Sequence, residues 1–409
     1  MLLARLLKDT LTQGCLRIID AGGRMHVFGD ASNTPRATIR LHKKSLHNSL
    51  FFNPKLRVGE AYMNGTLTIE DGTLYDFLEI CVLNAAELER RPSLAVFERV
   101  SYALRRLQQA NPIAKARVNV APHYDIADTV ADLFLDADRL YSCAYYLSSD
   151  FTLEEAQAAR KRHIAAKLLL EPGQKVLDIG CGWGGLALTL AKTADVEVTG
   201  LTLSPNQHAF ARRRAEEAGL ADQVRFELRD YREQTGMFNR IVSVGMFEHV
   251  GAYHYDEYFS QVKALLAEDG VMLLNAVGRM EPPGTTTAWT RKYIFPGVYV
   301  PALSEVLAAI EKTGLWATDS EIDRIHYADT LKAWREKFAG NRARALERHD
   351  ERFCRMWEFY LTVCDVAFRH LKQMNFEIQI ALAIGTVPLT RRYIECFEAE
   401  HPLEDYRAV

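Results

Sequence analysis

The sequence predicts an α/β protein with a doubly wound parallel sheet, a small α+β unit before it and helices that cover it. From about residue 174 onwards, strand-like and helix-like segments alternate with short turns, a pattern typical of parallel βαβ units. A glycine-rich turn at 180–185 joins the first of these strands to the helix after it. Residues 1–106 mix short strands with helices, and the tail at 302–375 is predicted to be mostly helical.

Length and composition limit the kind of protein. A chain of 409 residues, 48% hydrophobic and 25% charged, fits two or three globular domains. The net charge of -3 argues against a globally basic binder of nucleic acid. Seven cysteines without a C-x-x-C pair indicate neither a disulfide framework nor a zinc site, and no apolar run approaches the roughly 18 residues of a spanning helix. We therefore expect a cytoplasmic protein with reduced thiols and no bound metal.

The elements follow in chain order. In residues 1–106, "ATIRLH" and "LTIE" read as strands, and "YDFLEICVLNAAELE" and "FERVSYALRRLQQA" as helices. Residues 107–122 contain Pro112 and Pro122 and are predicted to be a linker to a second domain at 123–409. In that domain the predicted sheet strands are "QKVLDIG", "VEVTGLTL", "VRFELRD", "NRIVSVG" and "VMLLNAVG".

The first 60 residues are basic, with ten lysines and arginines against four acidic residues. Leucines recur there at helical spacing, with basic residues between them: Leu2, Leu3, Leu6, Leu7 and Leu11. Such a helix can lie on an anionic membrane surface or pack on its own domain. By itself the pattern favours packing, because most amphipathic helices are internal.

The glycine turn is compatible with two kinds of ligand. Its glycines satisfy the pattern G-x-G-x-x-G with Gly180, Gly182 and Gly185. A dinucleotide site wants an acid about 20 residues further on, but the second strand ends at Thr202. Asp178 stands two residues before the first glycine, and Gly184 extends the turn. These details resemble the S-adenosylmethionine loop of class I methyltransferases, in which an acid faces the amino-acid end of the cofactor.

Longer stretches resemble the cyclopropane-fatty-acyl-phospholipid synthase family, which includes the mycolic acid cyclopropane synthases. They are "HYDIADTVADLFLDADRLYSCAYY", "VLDIGCGWGG", "IVSVGMFEHVG" and "KYIFPG". Residues 58–78 are similar to the N-terminal domain of the bacterial phospholipid-acting members. The resemblance implies a seven-stranded, Rossmann-like methyltransferase domain at 123–409 and a lipid- or membrane-docking domain at 1–106. It also implies methyl transfer from S-adenosylmethionine to a cis double bond of an unsaturated membrane phospholipid, with a bicarbonate ion as the base that closes a cyclopropane ring.

The resemblance also implies site residues. Near the cofactor it places Tyr141, Ser142, Asp178, Gly180, Gly182, Gly184, Thr202, Leu203, Gln207 and Tyr231. Around bicarbonate it places Cys143, Glu248, Tyr327 and the backbone near Val277, with Asn275 where the family has a histidine ligand. Cys364 matches a cysteine of the family's C-terminal helix that has been considered catalytic, but its helical surroundings predict a buried packing role.

Asn275 departs from the family pattern. An amide can replace the N–H donor of a histidine, but it cannot titrate and its reach is shorter. A misplaced base would let the carbocation lose a different proton, so the alternative is a lipid C-methyltransferase that makes a methyl- or methylene-branched chain. A non-catalytic lipid-binding protein is a further alternative, which the intact glycines and Glu248 disfavour.

The substrate class gives two further expectations. Five aromatic residues are candidates for lining an acyl tunnel, against the alternative of ordinary core packing: Trp289, Tyr293, Phe295, Trp334 and Trp357. The basic N-terminal face is expected to dock on anionic phospholipid, which would make the protein peripheral on the inner face of the cytoplasmic membrane. The oligomeric state is left open, a homodimer included.

Overall fold

The structure, a computed structural model, describes residues 2–89 and 129–409. Over these residues the chain divides into two compact units. The first unit combines the N-terminal residues up to 105 with 285–296 and 331–372, and the second comprises 106–284, 297–330 and 373–409. The predicted linker at 107–122 lies outside the described residues. The domain boundaries at 106 and 123 therefore stay a prediction.

The first unit contains a four-stranded sheet in the order β2-β1-β3-β4. Its strands are β1 (Cys15–Ile19), β2 (Met25–Gly29), β3 (Arg36–Leu41) and β4 (Leu67–Asp71). β1 and β3 are parallel, and the other neighbouring pairs are antiparallel. The helices of this unit are Leu2–Thr10, Leu46–Phe52, Pro54–Met63, Leu74–Leu83, Ala85–Glu89, Ala288–Tyr293, Arg342–Arg348 and Glu351–His370.

The N-terminal helix Leu2–Thr10 turns leucines into its own unit. Leu3 and Leu6 are buried, as is Leu11 just after the helix. The Thr10 hydroxyl donates a hydrogen bond to the Leu6 carbonyl and closes the last turn. The packing interpretation of this amphipathic segment is therefore confirmed for these three leucines.

The second unit is built on a seven-stranded sheet in the order β10-β11-β9-β8-β5-β6-β7. The strands are β5 (Lys175–Ile179), β6 (Glu197–Thr202), β7 (Val224–Leu228), β8 (Phe238–Val244), β9 (Leu266–Arg279), β10 (Trp316–Ile322) and β11 (Gln373–Ala381). Strands β5 to β9 are parallel, whereas β11 runs antiparallel to both β9 and β10. The predicted parallel sheet is confirmed, and β10 is a strand within the tail that was predicted to be mostly helical.

Helices cover both faces of this sheet. Its α-helices are residues 129–134, Leu153–Leu168, Gly185–Ala194, Pro205–Glu217, Tyr255–Leu265, Leu303–Thr313 and Arg392–Glu400. The helix His326–Gly340 begins in this unit and continues into residues of the first. One 3-10 turn, Tyr231–Glu233, follows β7, and another, Phe247–His249, follows β8. Among the helices of residues 2–89 and 129–409, none combines the length and the apolar character that crossing a bilayer requires.

The strand order places a switch point at β5. The chain leaves β5 towards β6 and β7 on one side of the sheet, and later returns on the other side through β8 and β9. In open α/β sheets, ligands bind in the crevice beyond the carboxyl ends of the strands at such a point. The site is therefore expected after Ile179 and Val244, the last residues of β5 and β8.

Candidate active site

A cavity opens at this switch point, entirely within the second unit. Its volume is about 1270 Å³, including the space at its mouth that is open to solvent. Of the ten predicted cofactor residues, nine line it: Tyr141, Ser142, Asp178, Gly180, Gly182, Thr202, Leu203, Gln207 and Tyr231. The tenth, Gly184, packs behind the turn. The cavity is large enough for a nucleotide-sized ligand.

The glycines of the turn have different tasks. Gly180, Gly182 and Gly184 have φ angles of 90°, 54° and 86°, a region that disfavours side chains. A Cβ on Gly180 would lie 2.7 Å from the Met246 Cβ, and one on Gly184 would lie 2.7 Å from the Phe226 Cζ. A Cβ on Gly182 would meet nothing within 4 Å. Gly180 and Gly184 therefore permit close packing, whereas Gly182 leaves the cavity open for a ligand.

Asp178, the next-to-last residue of β5, places a carboxyl group in the cavity without a cation. The residue is buried, and its Oδ2 has no hydrogen-bond partner among the described residues. Burial raises its pKa to about 7. A buried carboxylate needs a partner, and the ammonium group of an amino-acid ligand is a suitable one.

The end of β6 offers neutral polar groups. The Thr202 hydroxyl donates a hydrogen bond to the Gln207 Oε1 at 2.9 Å, which leaves the buried Gln207 Nε2 without a partner in the described structure. Gln207 is held in place because the Ser204 hydroxyl caps the helix Pro205–Glu217 by accepting from the Gln207 N–H. An amide N–H₂ aimed into a cavity suits ribose hydroxyls, in a place where a dinucleotide site would have an acid.

The remaining predicted cofactor residues lie at the two ends of the cavity. The Tyr231 ring is nearly buried and meets the Tyr258 ring edge-on, with 5.2 Å between ring centroids. At the other end, the Tyr141 ring meets Phe134 edge-on at 5.5 Å, and the Gln157 Nε2 donates to the Ser142 carbonyl at 3.0 Å. An aromatic ring fixed in this way can stack on a purine.

A second buried carboxyl group follows β8. The Glu248 Oε1 accepts a hydrogen bond from the Val277 N–H at 2.6 Å, and its Oε2 has no partner in the described part of the chain. Burial raises the pKa of Glu248 to about 7, although the Val277 N–H partly lowers it. One carboxyl oxygen is thus anchored, and the other is free to accept a hydrogen from a ligand.

Cys143 and Asn275 belong to one buried hydrogen-bond network. The Arg160 Nε donates to the Cys143 carbonyl at 3.0 Å, and the Arg160 guanidinium forms an ion pair with Glu377. The Asn275 Nδ2 donates to the Glu377 Oε1 at 3.0 Å. Burial raises the pKa of the Cys143 thiol far above its usual range, so it stays protonated.

Tyr327 lies next to the segment that carries Cys143. It is half-buried in the first turn of the helix His326–Gly340. Two hydrogen bonds join this turn to the cysteine segment: the Tyr146 N–H donates to the His326 Nδ1 at 3.1 Å, and the Ala144 N–H donates to the Thr330 hydroxyl at 3.0 Å.

Cys364 and the candidate tunnel aromatics lie in the first unit. Cys364 is half-buried in the helix Glu351–His370, and burial raises its pKa to about 12, which agrees with a packing role. Three of the aromatics are buried almost completely: Trp289, Trp334 and Trp357. Trp289 donates to the Met63 sulfur and packs on Phe359, so it belongs to the core of this unit. Tyr293 and Phe295 are half-buried.

Sequence reasoning missed several charged residues of the site. Asp138 lines the cavity and forms ion pairs with Lys161 and Arg214. Arg160 also lines the cavity, and its partner Glu377 belongs to β11. No local motif marks these residues, because each partner comes from a distant part of the chain.

The sheet order, the glycine turn and the cavity at the switch point define a class I S-adenosylmethionine-dependent methyltransferase. The sequence model of the family described as mycolic acid cyclopropane synthetase matches residues 112–378, and a domain of unknown function matches residues 3–92. The chain belongs to the mycolic acid cyclopropane synthetase family, a family of lipid-modifying methyltransferases.

Individual relatives agree with this assignment. The cyclopropane-fatty-acyl-phospholipid synthase of Escherichia coli is 36% identical over 333 residues, covering 81% of this chain and 85% of that protein. The tuberculostearic acid methyltransferase UfaA1 of Mycobacterium tuberculosis is 32% identical over 380 residues, covering 89% and 87%. The crystal structure of the mycolic acid cyclopropane synthase CmaA1 complexed with SAH and CTAB covers 66% of this chain and 99% of its own, with a TM-score of 0.62 and 32% identity.

Proposed function

We propose that the protein transfers a methyl group from S-adenosylmethionine to a cis double bond in the acyl chain of an unsaturated phospholipid, and that a bound bicarbonate ion takes up the proton whose loss closes a cyclopropane ring. The observation that carries this proposal is the buried Glu248, with one oxygen anchored on the Val277 N–H and the other unpartnered in the described structure. It supports a site built to accept a hydrogen from an oxyanion.

The cavity fits the cofactor by its own chemistry. Asp178 offers an unpartnered carboxyl oxygen to the ammonium group, Gln207 an unpartnered N–H₂ to the ribose, and Tyr231 a fixed ring to the adenine. When bound, S-adenosylmethionine supplies an electrophilic methyl group on a sulfonium. The chain's own task is to hold that group against the alkene and to exclude water from the site.

The residues beside Glu248 suit the removal of a proton. The double bond uses its electron pair to bind the methyl carbon, which leaves a carbocation on the neighbouring carbon. Bicarbonate takes a proton from the new methyl group, and the electrons of that C–H bond close the ring. In this proposal the Glu248 Oε2 accepts the hydroxyl hydrogen of bicarbonate, which makes the ion a stronger base, and the Tyr327 hydroxyl donates to it. Because the Cys143 thiol stays protonated, it acts as a donor and not as a nucleophile.

A second product is favoured by one observation. The Asn275 amide donates to Glu377 and is therefore partly committed away from a bound anion. If the anion is held less firmly, the carbocation loses a proton from a chain carbon and leaves a methyl-branched alkene, or loses a methyl proton after a hydride shift and leaves a methylene branch. The likeness to a tuberculostearic acid methyltransferase fits this second candidate.

The basic N-terminal segment supports attachment to the substrate membrane. Ten lysines and arginines face four acidic residues in residues 1–60. Each cationic side chain near an anionic bilayer contributes about 1 kcal/mol. We therefore propose that the protein docks peripherally on the anionic inner face of the cytoplasmic membrane.

Mass spectrometry of lipids from cells that express the protein tests the proposed function. Chains that gain one CH₂ and lose the double bond indicate ring closure, and the same gain with unsaturation retained indicates branching. Replacing the amide by the family's side chain in Asn275→His should raise the ring-containing fraction. Absence of any methylated chain in the wild type would refute the proposal.

A further inference from the structure

Glu377 lies at the centre of the network behind the proposed bicarbonate site. It is fully buried in β11, directly opposite Asn275 of β9 in the antiparallel register. Its carboxylate accepts hydrogen bonds from the Asn275 Nδ2 at 3.0 Å, the Lys167 Nζ at 2.9 Å and the Arg160 guanidinium. Burial alone would raise the pKa of Glu377, but the charges of Lys167 and Arg160 hold it well below its usual range. Glu377 is therefore a carboxylate even in the interior of the protein.

An ionised carboxylate fixes the orientation of its amide neighbour. It can only accept hydrogen bonds, so the Asn275 amide must turn its N–H₂ towards Glu377 and its carbonyl away from it. One of the two Asn275 N–H bonds is thereby used, and one N–H and the carbonyl stay available. Asn275 thus offers a single, oriented donor to any ligand.

Arg160 extends the same control to Cys143. Its Nη1 pairs with Glu377, its Nη2 donates to the Asp323 Oδ2 at 2.7 Å, and its Nε donates to the Cys143 carbonyl. Its Nη2 also lies 3.6 Å from the Cys143 sulfur. A planar guanidinium held at both ends is rigid. Glu377 is therefore bonded directly to one proposed bicarbonate ligand and through a single residue to another.

We propose that Glu377 is a positioning residue for the deprotonation step, which fixes Asn275 directly and Cys143 through Arg160 and so decides which proton the carbocation loses. This inference rests on the proposed function. The methyl-transfer step is common to every product: the alkene electron pair forms the new C–C bond and the sulfonium keeps the electrons of the S–CH₃ bond. The products differ only in the C–H bond that bicarbonate breaks, and Glu377 acts on that choice.

Variants of Glu377 and Asn275 in the full-length protein test this inference. Glu377→Gln removes the charge, and Glu377→Asp keeps the charge for Lys167 and Arg160 but draws it back from Asn275. Each should lower the fraction of methylated chains that carry the wild-type product by about fivefold or more, the factor of one hydrogen bond. Asn275→Ala should do the same, and adding Glu377→Gln to it should lower the share that depends on Asn275 no further.

Two further measurements separate positioning from mere stability. Binding of ¹³C-bicarbonate, followed by NMR in the presence of S-adenosylhomocysteine, should weaken in the Glu377 variants while the affinity for S-adenosylhomocysteine stays within about twofold. The matched control is Asp365→Asn, which removes another buried carboxylate between two arginines, Arg335 and Arg369. It should lower thermal stability without changing the product fraction.

The outcomes are distinct. An unchanged product fraction and unchanged bicarbonate binding in Glu377→Asp and Glu377→Gln would overturn the inference while leaving the proposed function intact. If Glu377→Gln does not fold, Glu377→Asp decides, because its ion pairs are conserved. A wild type without any methylated product refutes the proposed function, and bicarbonate binding by the two variants then decides on Glu377 alone.

Discussion

The unpartnered carboxyl group of Asp178 predicts that cofactor affinity depends on pH. Burial raises the pKa of Asp178 to about 7, so the free protein at pH 6 holds this carboxyl mostly protonated. The ammonium group of the cofactor pairs with the ionised form, so binding must first remove that proton. Affinity should therefore rise with pH up to about 7 and then level off.

The magnitude follows from the fraction of ionised Asp178. With a pKa of about 7, the ionised fraction is about one in eleven at pH 6 and about ten in eleven at pH 8. The dissociation constant of S-adenosylhomocysteine should thus be about tenfold higher at pH 6 than at pH 8. Isothermal titration calorimetry in buffers of equal ionic strength measures it, and the number of protons released on binding gives an independent check.

Two variants identify the group responsible. Asp178→Asn should bind about 10- to 100-fold more weakly at pH 8, since a hydrogen bond to a charged group is lost, and its affinity should not vary between pH 6 and 8. Glu248→Gln should keep the wild-type pH dependence, although burial raises the pKa of Glu248 to about 7 as well. His249 lines the cavity, but burial lowers its pKa to about 4, outside this range. A pH dependence that survives in Asp178→Asn would refute the reasoning.

Two other predictions concern the same site. Glu248→Gln should bind S-adenosylhomocysteine within about twofold of the wild type but lose at least tenfold in product formation, measured by lipid mass spectrometry, and full activity would contradict its role. Gly184→Ala should lower the free energy of unfolding by about 1–3 kcal/mol in thermal denaturation, because its Cβ would lie 2.7 Å from the Phe226 ring at a φ of 86°. Gly182→Ala is the matched variant: it should weaken S-adenosylhomocysteine binding more than it lowers stability, and equal destabilisation by both would contradict the division of tasks in the turn.

Local signals in the sequence were sufficient for the core of the second unit. The run that ends in Asp178 and the glycines after it identify the first strand, its turn and the acid of the site, because residues close in sequence make all three. The same holds for Glu248, which directly follows a predicted strand. Motifs of this kind carry their own geometry and need no knowledge of distant partners.

Other features depend on contacts that no local pattern records. β10 has only partly buried and exposed residues, so it lacks the apolar alternation of a predicted strand. Arg160 and Lys167 resemble the polar face of a surface helix, but the helix Leu153–Leu168 is buried almost throughout. Their partner Glu377 comes from the last strand of the sheet. Pairing across such distances is set by tertiary packing.

The N-terminal helix shows how a stripe of leucines can serve the fold and not the bilayer. Leu3 and Leu6 are buried within their own unit, so inserting them into lipid would first require peeling the helix away. That exposure costs roughly 1.5–3 kcal/mol for each leucine before any gain from the membrane. Adhesion through the surrounding lysines and arginines carries no such cost. It is also reversible, since raising the ionic strength screens it and would release the protein from its substrate surface.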